Sequence, residues 1–229
     1  MSESEVLNPL TETAETVVAT ATLEEVPRTR KRPKPCERRE QILQALAAML
    51  EKPGSDRITT AALAANLSVS EAALYRHFAS KAQMFEGLID FIEQSVFSLV
   101  QQVMGRDGEV LEFTPEDGAR RAARIVALVL QFAERNPGMV RVLVGDALLL
   151  EHERLQVRMN QFFERIESTL RQCLRPAAGA LGSATPTVEA QVAASVLMSF
   201  VQGRLLRFVR TGFRRQPTEH LDASLAMLI

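Results

Sequence analysis

The 229-residue chain contains no tryptophan, a single tyrosine, two cysteines and three histidines. Cys36 and Cys173 lie far apart, and neither has a cysteine or histidine partner at metal-ligand spacing, which argues against a disulfide framework or a zinc site. We therefore predict two unpaired thiols in a reducing cytosol, with no metal and no cofactor. His152 and His220 are isolated in the sequence and are predicted to lie on the surface.

Further absences narrow the function. The acidic N-terminus lacks the basic and apolar regions of a signal peptide, and no apolar run approaches the ~18 residues that a membrane span needs. We therefore expect a soluble, cytoplasmic protein. A glycine-rich phosphate loop, a nucleophile elbow and a histidine paired with a carboxylate on one helical face are also lacking, which argues against an enzyme.

The charge of the chain is divided unevenly, although its formal net charge is only −1. Residues 1–27 contain six acidic and no basic residues, whereas residues 28–81 contain eleven basic and five acidic residues. Residues 82–229 are close to neutral. A localised basic module of this kind is the usual electrostatic signature of nucleic-acid binding.

The pattern of the chain predicts three parts. Residues 1–36 are predicted to form a disordered acidic tail ending in a basic arm, RTRKRPKP, which either is a solvated linker or reaches phosphates or a minor groove. Residues 37–82 are predicted to form a helix-turn-helix DNA-binding domain, and residues 83–229 a helical dimerisation and partner-binding domain. No run shows the alternation typical of strands, so the predicted fold class is all-α.

Capping residues and helix breakers predict where the helices begin and end. Thr59 or Thr60 is predicted to cap a short helix that ends at Asn66, and Ser70 is predicted to cap the next one, over about Glu71–Phe78. A long helix is predicted to follow Ser80, another to run from Thr114 to about Arg135, and a third to span about Gly138–Leu150. The next helix is predicted to end at a flexible connection, RPAAGALGSATP, after which Thr187 is predicted to cap a further helix.

The segment SEAALYRHF has the properties of a recognition helix. Its outer face must be small or polar to enter a major groove about 12 Å wide. Leu74 and Phe78 are predicted to anchor its inner face, whereas Ala72 and Ala73 leave room for close approach. Glu71 opposes this interpretation, because a carboxylate near phosphates is costly unless it accepts from a cytosine amino group or caps the helix. Both roles stay open.

The stretch ITTAALAANLSVSEAALYRHFASKAQMF resembles the DNA-binding domain of the TetR family of bacterial regulators. The resemblance implies that Tyr75, His77 and Lys81 contact phosphates and that residues 70–73 read bases. Ser68 stands where the family usually has glycine, which costs about 1 kcal/mol if the backbone there is left-handed. The predicted DNA-binding residues are Thr59, Thr60, Ser70, Glu71, Ala72, Ala73, Tyr75, Arg76, His77 and Lys81.

The segments FAERNPG, QFFERIESTLRQCLR and RFVRTGFRRQPTEHLDA resemble the nucleoid occlusion factors of proteobacteria, over a stretch from about Arg38 to the C-terminus. The resemblance implies a nucleoid-associated homodimer that binds palindromic chromosomal sites. It also implies that the DNA-bound protein binds the C-terminal tail of the tubulin-like division protein FtsZ and antagonises FtsZ polymers. No metabolite inducer is implied. The runner-up interpretation is an ordinary TetR-type repressor whose helical body binds a small inducer.

The partner-binding groove that the resemblance implies uses Phe91, Leu128, Arg135 and Asn136. Phe91 lies on the edge of its apolar stripe, and the side chains of Arg135 and Asn136 project from a helix end, which suits an acidic and apolar peptide. The alternative is that Phe91 is plain core and that Asn136 is a helix C-cap before proline. Two nearby positions depart from the family pattern: Leu99 and Gln131.

A dimer is expected because a single recognition helix buries too little surface for specific binding, and a two-fold DNA site requires a two-fold protein. The last two helices are predicted to form its interface through Val192, Val196, Phe200 and Leu205, which share one stripe. This interpretation predicts that Leu205→Glu gives monomers with weak DNA binding.

Overall fold

The computed structural model describes residues 35–52, 58–105, 114–180 and 184–229. Within these ranges every regular element is helical, which confirms the predicted all-α fold. The predicted acidic tail and the basic arm up to Lys34 lie outside the described residues. The helices are α1 Pro35–Leu50, α2 Thr60–Asn66, α3 Glu71–Tyr75, α4 Lys81–Met104, α5 Pro115–Arg135, α6 Pro137–Leu143, α7 Glu153–Ala180, α8 Pro186–Arg210 and α9 Leu221–Leu228, with a 3₁₀ turn at Asp146–Leu148 between α6 and α7.

Helices α1, α2 and α3 form the head, which packs around a small core. The apolar stripe of α1 includes Ile42 and Leu46, and both side chains are 1% exposed, as their helical spacing predicts. Leu63 of α2 and Leu74 of α3 point inward and are equally buried. Phe78, just beyond α3, completes this core, so the head holds its two short helices by side-chain packing rather than by their length.

Helix α4 connects the head to the body, which comprises α5 to α9. The hydroxyl of Ser80 caps α4 by accepting from the backbone N–H of Gln83 at 3.2 Å, and Gln83 Oε1 accepts from the backbone N–H of Ala79 at 2.8 Å. The two bonds resemble a capping box, except that Gln83 accepts from the residue before the cap, and they satisfy backbone donors at the helix start. Because α4 packs on α1 and also on α5 and α7, a shift of its N-terminus affects both head and body.

Helix α5 is the centre of the body. Thr114 caps it by accepting from the backbone N–H of Asp117 at 3.2 Å, and Pro115 occupies its first turn, as the sequence predicts. α7 and α8 pack on α5 and on each other, and side chains such as Phe132, which is 0% exposed, fill the space between them. Cys173 of α7 is a free thiol in this core, and burial raises its pKa to about 11.

Helix α6 is shorter than predicted. The sequence predicts one helix over about Gly138–Leu150, but α6 ends at Leu143. Gly145 then takes a left-handed conformation with φ at 80°, and only the 3₁₀ turn follows. Glycine adopts this conformation without a steric penalty, so the chain turns here although its apolar pattern continues.

The connection between α7 and α8 also differs from the prediction. The segment predicted to be flexible continues α7 through Pro176 to Ala180, although a proline inside a helix removes one hydrogen bond and crowds the carbonyl four residues before it. α8 begins at Pro186, a residue that is favoured in the first turn of a helix. Thr185, rather than Thr187, therefore holds the N-cap position.

Helix α6 meets α1 backbone to backbone at Gly138. A Cβ atom at this position would lie 2.1 Å from the backbone oxygen of Ala47 and 3.0 Å from its carbonyl carbon. A methyl group therefore does not fit there unless the two helices separate. Gly138 thus sets the distance between α1 of the head and α6 of the body.

Helix α8 is apolar on two faces. One face carries Ala194, Leu197 and Val201 into the core of the same chain, together with Leu205, which is 0% exposed. The prediction that Leu205 belongs to a dimer interface is therefore wrong, because its burial is complete within one chain. The other face exposes a different set of apolar residues: Val188, Val192, Val196 and Leu206.

The exposed face of α8 follows the helical period. Positions 188, 192, 196, 199, 203 and 206 are three or four residues apart and so form one stripe along the helix. Val188 and Val192 are 59% exposed, and Val196 is 46% exposed. With two apolar faces, α8 is the one helix among the described residues that is long and apolar enough to cross a membrane, by criteria that core helices of soluble proteins also meet.

Candidate DNA-binding surface and partner groove

Helices α2 and α3 meet at a tight turn with the geometry of a helix-turn-helix. Thr59 caps α2 by accepting from the backbone N–H of Ala62 at 3.1 Å. In the turn, the backbone N–H of Val69 donates to the carbonyl of Ala64 at 3.0 Å. Ser68 has φ at 55°, so the left-handed conformation considered from the sequence is present and is adopted by serine.

The short helix α3 divides its residues between core and solvent as the sequence predicts. Leu74 and Phe78 are each 1% exposed, whereas Tyr75 is 46% exposed and Arg76 is exposed beside it. α3 is shorter than predicted, since it ends at Tyr75 and His77 lies in the turn that follows. The hydroxyl of Tyr75 and the guanidinium of Arg76 are therefore accessible from solvent on the outer side of the head.

None of the predicted DNA-binding residues is buried, and all lie on the helix-turn-helix or at the start of α4. Ser70 occupies the N-cap position of α3, but its side chain forms no capping hydrogen bond. The predicted side-chain cap is thus not formed, and the exposed hydroxyl remains accessible. The exposed members of the set are Thr59, Ser70, Glu71, Ala72, Tyr75 and Arg76, and the half-buried members are Thr60, Ala73, His77 and Lys81.

A side-chain hydrogen bond joins the first residue of α2 to the first residue of α3. The hydroxyl of Thr60 donates to Glu71 Oε2 at 2.6 Å, on the solvent-exposed side of the head. A bond to a carboxylate is stronger than one between neutral groups, so it helps to fix the angle between the two short helices. Glu71, whose role the sequence leaves open, therefore contacts α2 directly.

Arg39 of α1 holds the turn that follows α3. Its guanidinium lies over the ring of Phe78, 4.3 Å from the centroid, and its Nη1 donates to the carbonyl of His77 at 3.2 Å. A guanidinium that both stacks and donates is held more firmly than a free surface arginine. Arg39 thus positions the segment that carries Tyr75 and His77, a role that the sequence pattern does not predict.

Lys81, which is predicted to contact phosphate, is paired with the body in this structure. Its ammonium forms an ion pair with Glu151, whose side chain is only 10% exposed. Further along α4, a second ion pair joins Glu86 of α4 to Arg154 of α7 at 2.9 Å. A phosphate bound at the start of α4 therefore has to compete with Glu151 for the ammonium of Lys81.

Arg158 completes this row of contacts between α4 and α7. Its guanidinium pairs with Asp90 and with Glu93, each at 2.6 Å. The hydrogen bonds to Glu93 and Asp90 raise the pKa of Arg158 above its usual range, although burial opposes the shift. The first half of α4 is thus tied to the start of α7 by charged groups.

Glu151→Gln is expected to strengthen DNA binding. The substitution removes the charge that competes with phosphate for Lys81, so the affinity at low salt should rise about 3- to 10-fold, and the slope of log K against log salt should steepen by up to about one unit. Fluorescence anisotropy of a labelled duplex over a salt series measures both quantities. Glu153→Gln is the matched control, because Glu153 is exposed and the net charge changes equally. Equal effects of the two variants would contradict a competition for Lys81.

A groove of about 260 Å³ lies between α4 and α5. Leu99, Gln102 and Val103 line it from α4, and Leu128 lines it from α5. Nε of Arg124 is buried and has no hydrogen-bond partner among the described residues. A buried donor without a partner is costly, so this groove favours an occupant that supplies an acceptor, and an anion most of all. The arginines lining the groove are Arg120, Arg121 and Arg124.

A second cavity, of about 370 Å³, lies farther along α5. Gln131, Glu134 and Arg135 line it from α5, and residues between 218 and 223, which include Asp222, line its other side. Oε1 of Gln131 is buried without a hydrogen-bond partner in the described part of the chain. Because Leu128, Gln131 and Arg135 are spaced three and four residues apart, the groove and the cavity lie along one face of α5.

This face of α5 carries two members of the predicted partner-binding set. Leu128 and Arg135 lie on it. Asn136 is 7% exposed, is the C-cap residue of α5, and donates from Nδ2 to the carbonyl of Phe132 at 2.8 Å. Phe91 is half-buried on α4 and packs against the core. Asn136 is thus the C-cap that the alternative interpretation describes, whereas Phe91 is half-buried, as expected at the edge of its stripe. A role for either residue in partner binding stays a prediction.

The arginines of the groove could have been predicted from their spacing in the sequence, although they are not among the predicted site residues. In the stretch ARRAAR, which covers residues 119–124, Arg121 and Arg124 precede Leu128 by seven and four residues. This spacing places all three on one face of a helix. Within the described ranges, no group of three or more histidine, cysteine, aspartate or glutamate side chains could hold a metal ion.

Two family models match the chain. The model described as bacterial regulatory proteins of the tetR family matches residues 42–88, which include the helix-turn-helix. The model described as the SlmA-like, tetracyclin repressor-like C-terminal domain matches residues 116–229 and covers nearly all of the body. The head and the body are thus each similar to a known type of domain.

Proteins named nucleoid occlusion factor SlmA are similar to most of the chain. The protein of Idiomarina loihiensis is 50% identical over 186 residues, which cover 81% of this chain and 90% of the relative. That of Photobacterium profundum is 52% identical over 186 residues, with the same two shares. That of Vibrio atlanticus is 50% identical over 192 residues, which cover 83% of this chain and 93% of the relative. These relatives are not enzymes, in agreement with the prediction from the sequence.

Solved structures of TetR-type regulators resemble the fold. The TetR family transcriptional regulator PfmR from Thermus thermophilus has a TM-score of 0.62 at 18% identity, covering 89% of this chain and 96% of that one. The ketosteroid transcriptional regulator KstR2 of Mycobacterium tuberculosis has a TM-score of 0.63 at 17% identity, with 88% and 94% covered. The fold is therefore TetR-like, as the sequence predicts.

Proposed function

The chain belongs to the nucleoid occlusion factor SlmA family of TetR-type DNA-binding proteins, and from this premise we propose that it binds palindromic chromosomal sites as a homodimer and acts on FtsZ from there. In its DNA-bound form it binds the C-terminal tail of FtsZ and antagonises FtsZ polymers. It is nucleoid-associated in the cytoplasm, and it keeps septa away from chromosomes that have not yet segregated.

The observation that carries the DNA-binding part of the proposal is the division of residues around α3. Leu74 and Phe78 complete the core of the head, and Tyr75 and Arg76 face solvent together with Ser70. A helix with this arrangement can enter a major groove without giving up any packing within its own domain. In this proposal, residues 70–73 contact base edges, and phosphates are contacted by Tyr75, Arg76 and His77. Lys81 also contacts a phosphate once its ion pair with Glu151 has opened.

The exposed face of α8 supports the dimer. Its valines are spaced so that a second copy can cover all of them at once, and removing apolar surface from water favours association. Gly203 lies on the same face, and a Cβ atom there would meet nothing within 4 Å in one chain, so it leaves room for a neighbouring backbone. Phe200, also predicted at this interface, is half-buried under the guanidinium of Arg204, 4.8 Å from the ring centroid.

The groove between α4 and α5 supports the partner-binding part. An acidic and apolar tail finds aliphatic contacts at Leu99, Val103 and Leu128, and an unpaired guanidinium donor at Arg124. Arg135 lies on the same face of α5, so an extended tail can pass from one cation to the other. Within this proposal Phe91 and Asn136 act indirectly, by shaping α4 and the end of α5.

The alternative, a repressor with a small inducer in its body, has less support. Phe132, Phe162 and Leu170 fill the space between α5, α7 and α8, with exposures of 2% or less. The groove and the cavity on α5 are lined by charged side chains and lie at the surface rather than in that core. Release from DNA by a metabolite, without any effect on FtsZ, would favour this alternative.

Sedimentation of FtsZ polymers tests the proposed function. Purified FtsZ is assembled with GTP and pelleted with this protein alone, with a duplex selected by this protein from a random library, or with both. The protein and the duplex together should lower the pelleted FtsZ more than either alone. An equal effect with and without the selected duplex would contradict the proposed coupling, whereas failure to select any duplex would contradict specific DNA binding.

Arg124→Gln is expected to weaken binding of the FtsZ tail at least about 10-fold, because it removes a charge-assisted donor from a desolvated site. Anisotropy of a labelled tail peptide, with saturating duplex present, gives the affinity. Arg120→Gln is the matched control: Arg120 has a side chain 60% exposed and pairs with Asp117 at 3.7 Å, so its loss should matter less than about 3-fold. DNA affinity should stay the same in both variants. Equal losses of tail affinity in the Arg124 and Arg120 variants would contradict a specific role for Arg124.

A further inference from the structure

Glu71 is the only acidic residue between positions 58 and 81, the segment that carries the helix-turn-helix. It is exposed at the first position of α3, and it forms no ion pair with any described residue. Its neighbours Ser70 and Ala72 are exposed with it. A carboxylate brought without a cation into a field of phosphates lowers DNA affinity, so a favourable contact with the bases has to offset this cost.

The carboxylate of Glu71 is held in place before any DNA arrives. The hydroxyl of Thr60 donates to Oε2 at 2.6 Å and thereby leaves Oε1 free to accept a second hydrogen bond. Thr60 begins α2 and Glu71 begins α3, so the bond fixes the carboxylate relative to both helices. A side chain whose rotamers are already restricted loses less entropy when it makes a further contact.

The chemistry of the major groove limits which base such a group can contact. An ionised carboxylate only accepts hydrogen bonds, and guanine and thymine present acceptors there. Adenine presents the N6 amino group, but its N7 acceptor lies beside that donor and repels a carboxylate. Cytosine presents the N4 amino group with no acceptor of its own beside it, so it is the base that best suits a carboxylate.

We propose that Glu71 is a specificity-determining residue that reads the N4 amino group of a cytosine in each half-site, and that Thr60 is the positioning residue that orients its carboxylate. This inference rests on the proposed function as a sequence-specific DNA-binding protein. It assigns a single base to a single side chain and explains why the helix-turn-helix segment, positions 58 to 81, retains one acid. Because the Thr60 bond is present without DNA, the preference is built into the free protein.

The test measures base preference rather than affinity alone. Wild type, Glu71→Gln, Thr60→Val and Thr60→Ser are each used to select duplexes from a random library. The selected wild-type site and versions of it with one base pair changed at a time are then titrated with all four proteins. In wild type, one cytosine per half-site should be preferred by about 5- to 100-fold over other bases.

The variants should change the base preference at that one position of the DNA site and leave the preferences at the other positions unchanged. Glu71→Gln should move the preference there from cytosine to adenine, because an amide pairs with both N6 and N7, while affinity for non-specific DNA rises as a negative charge is lost. Thr60→Val should reduce the cytosine preference, and Thr60→Ser, which keeps the hydroxyl, should retain it.

Two results would overturn the inference, and they differ from each other. If Glu71→Gln leaves the preference at every position unchanged, Glu71 is only a brace between α2 and α3. If wild type distinguishes no duplex from another, the proposed function itself fails, and the inference fails with it. Circular dichroism melts of each variant show whether a lost preference arises from a loosened head instead.

Discussion

A protein carrying Val196→Glu is expected to be a monomer whose affinity for its specific DNA site is lower by at least about 100-fold. The substitution places an unpaired charge from each copy in an apolar interface, where a buried ion without a partner costs several kcal/mol. A monomer then contacts one half-site instead of two. Sedimentation velocity gives the mass of the protein, and gel-shift titration of a selected duplex gives its affinity.

The folded single chain should tolerate Val196→Glu, because Val196 is 46% exposed before any second copy binds. Its far-ultraviolet circular dichroism should therefore match that of wild type. Met227→Glu is a suitable control, since Met227 is 88% exposed, lies on α9 and is outside the stripe on α8. An intact dimer for Val196→Glu, or monomers for both variants, would contradict the assignment of the interface to this face.

Gly138→Ala is expected to destabilise the protein by about 3 kcal/mol or more, which corresponds to a decrease in Tm of roughly 6–12 °C. The added methyl group would lie 2.1 Å from the backbone oxygen of Ala47, and a backbone cannot rotate away as a flexible side chain can. α6 has to move away from α1, so the head should also loosen from the body and DNA affinity should fall. Thermal melts and gel-shift titration measure the two effects.

Gly179→Ala is the matched control for this prediction. Gly179 is also helical, but a Cβ atom there would meet no other atom within 4 Å. Alanine is the better helix former, so this variant should be neutral or more stable by up to about 1 kcal/mol. If Gly138→Ala behaved in the same way, the contact between α6 and α1 would not be limiting the approach of the two helices.

The features that the sequence predicts well are those decided by neighbouring residues. Thr59, Ser80 and Thr114 all cap helices as predicted, because a cap bonds to a backbone group only three residues away. The same holds for the inner face of α3, where Leu74 and Phe78 lie four residues apart. Local chemistry of this kind can be recognised without knowing where the rest of the chain lies.

The features that the sequence predicts poorly depend on packing between distant segments. Val196 and Leu205 are both apolar residues of α8, yet one faces solvent and the other faces the core. Their spacing of nine residues is two and a half helical turns, so they lie on opposite faces and cannot share the one stripe that is predicted for them. Which of the two faces meets α5 and α7 is decided by packing. Gly138 follows a proline and is typical of a turn, whereas its actual constraint comes from α1, about ninety residues earlier in the chain.

The candidate sites combine both cases. The DNA-facing residues are consecutive or nearly so, and the structure places them together on one exposed surface. The groove residues come from α4 and α5, and the pairing of these helices decides that Arg124 is left with a buried, unpaired donor. Asn136 projects freely in one of the two sequence-based interpretations and caps its helix in the other, and in the structure its carboxamide bonds to the carbonyl of Phe132.

Tyr75 has a practical consequence for experiments in solution. The chain has no tryptophan and no other tyrosine, so apart from the weak, shorter-wavelength emission of its phenylalanines, the fluorescence of the whole protein comes from one phenol ring. That ring is 46% exposed and lies on the surface proposed to meet phosphates. A duplex that covers it changes the surroundings of the only tyrosine, whereas an event confined to the body leaves this ring untouched. The unlabelled protein thus contains its own optical reporter, one per subunit, at the one place where occupancy by DNA has to be followed.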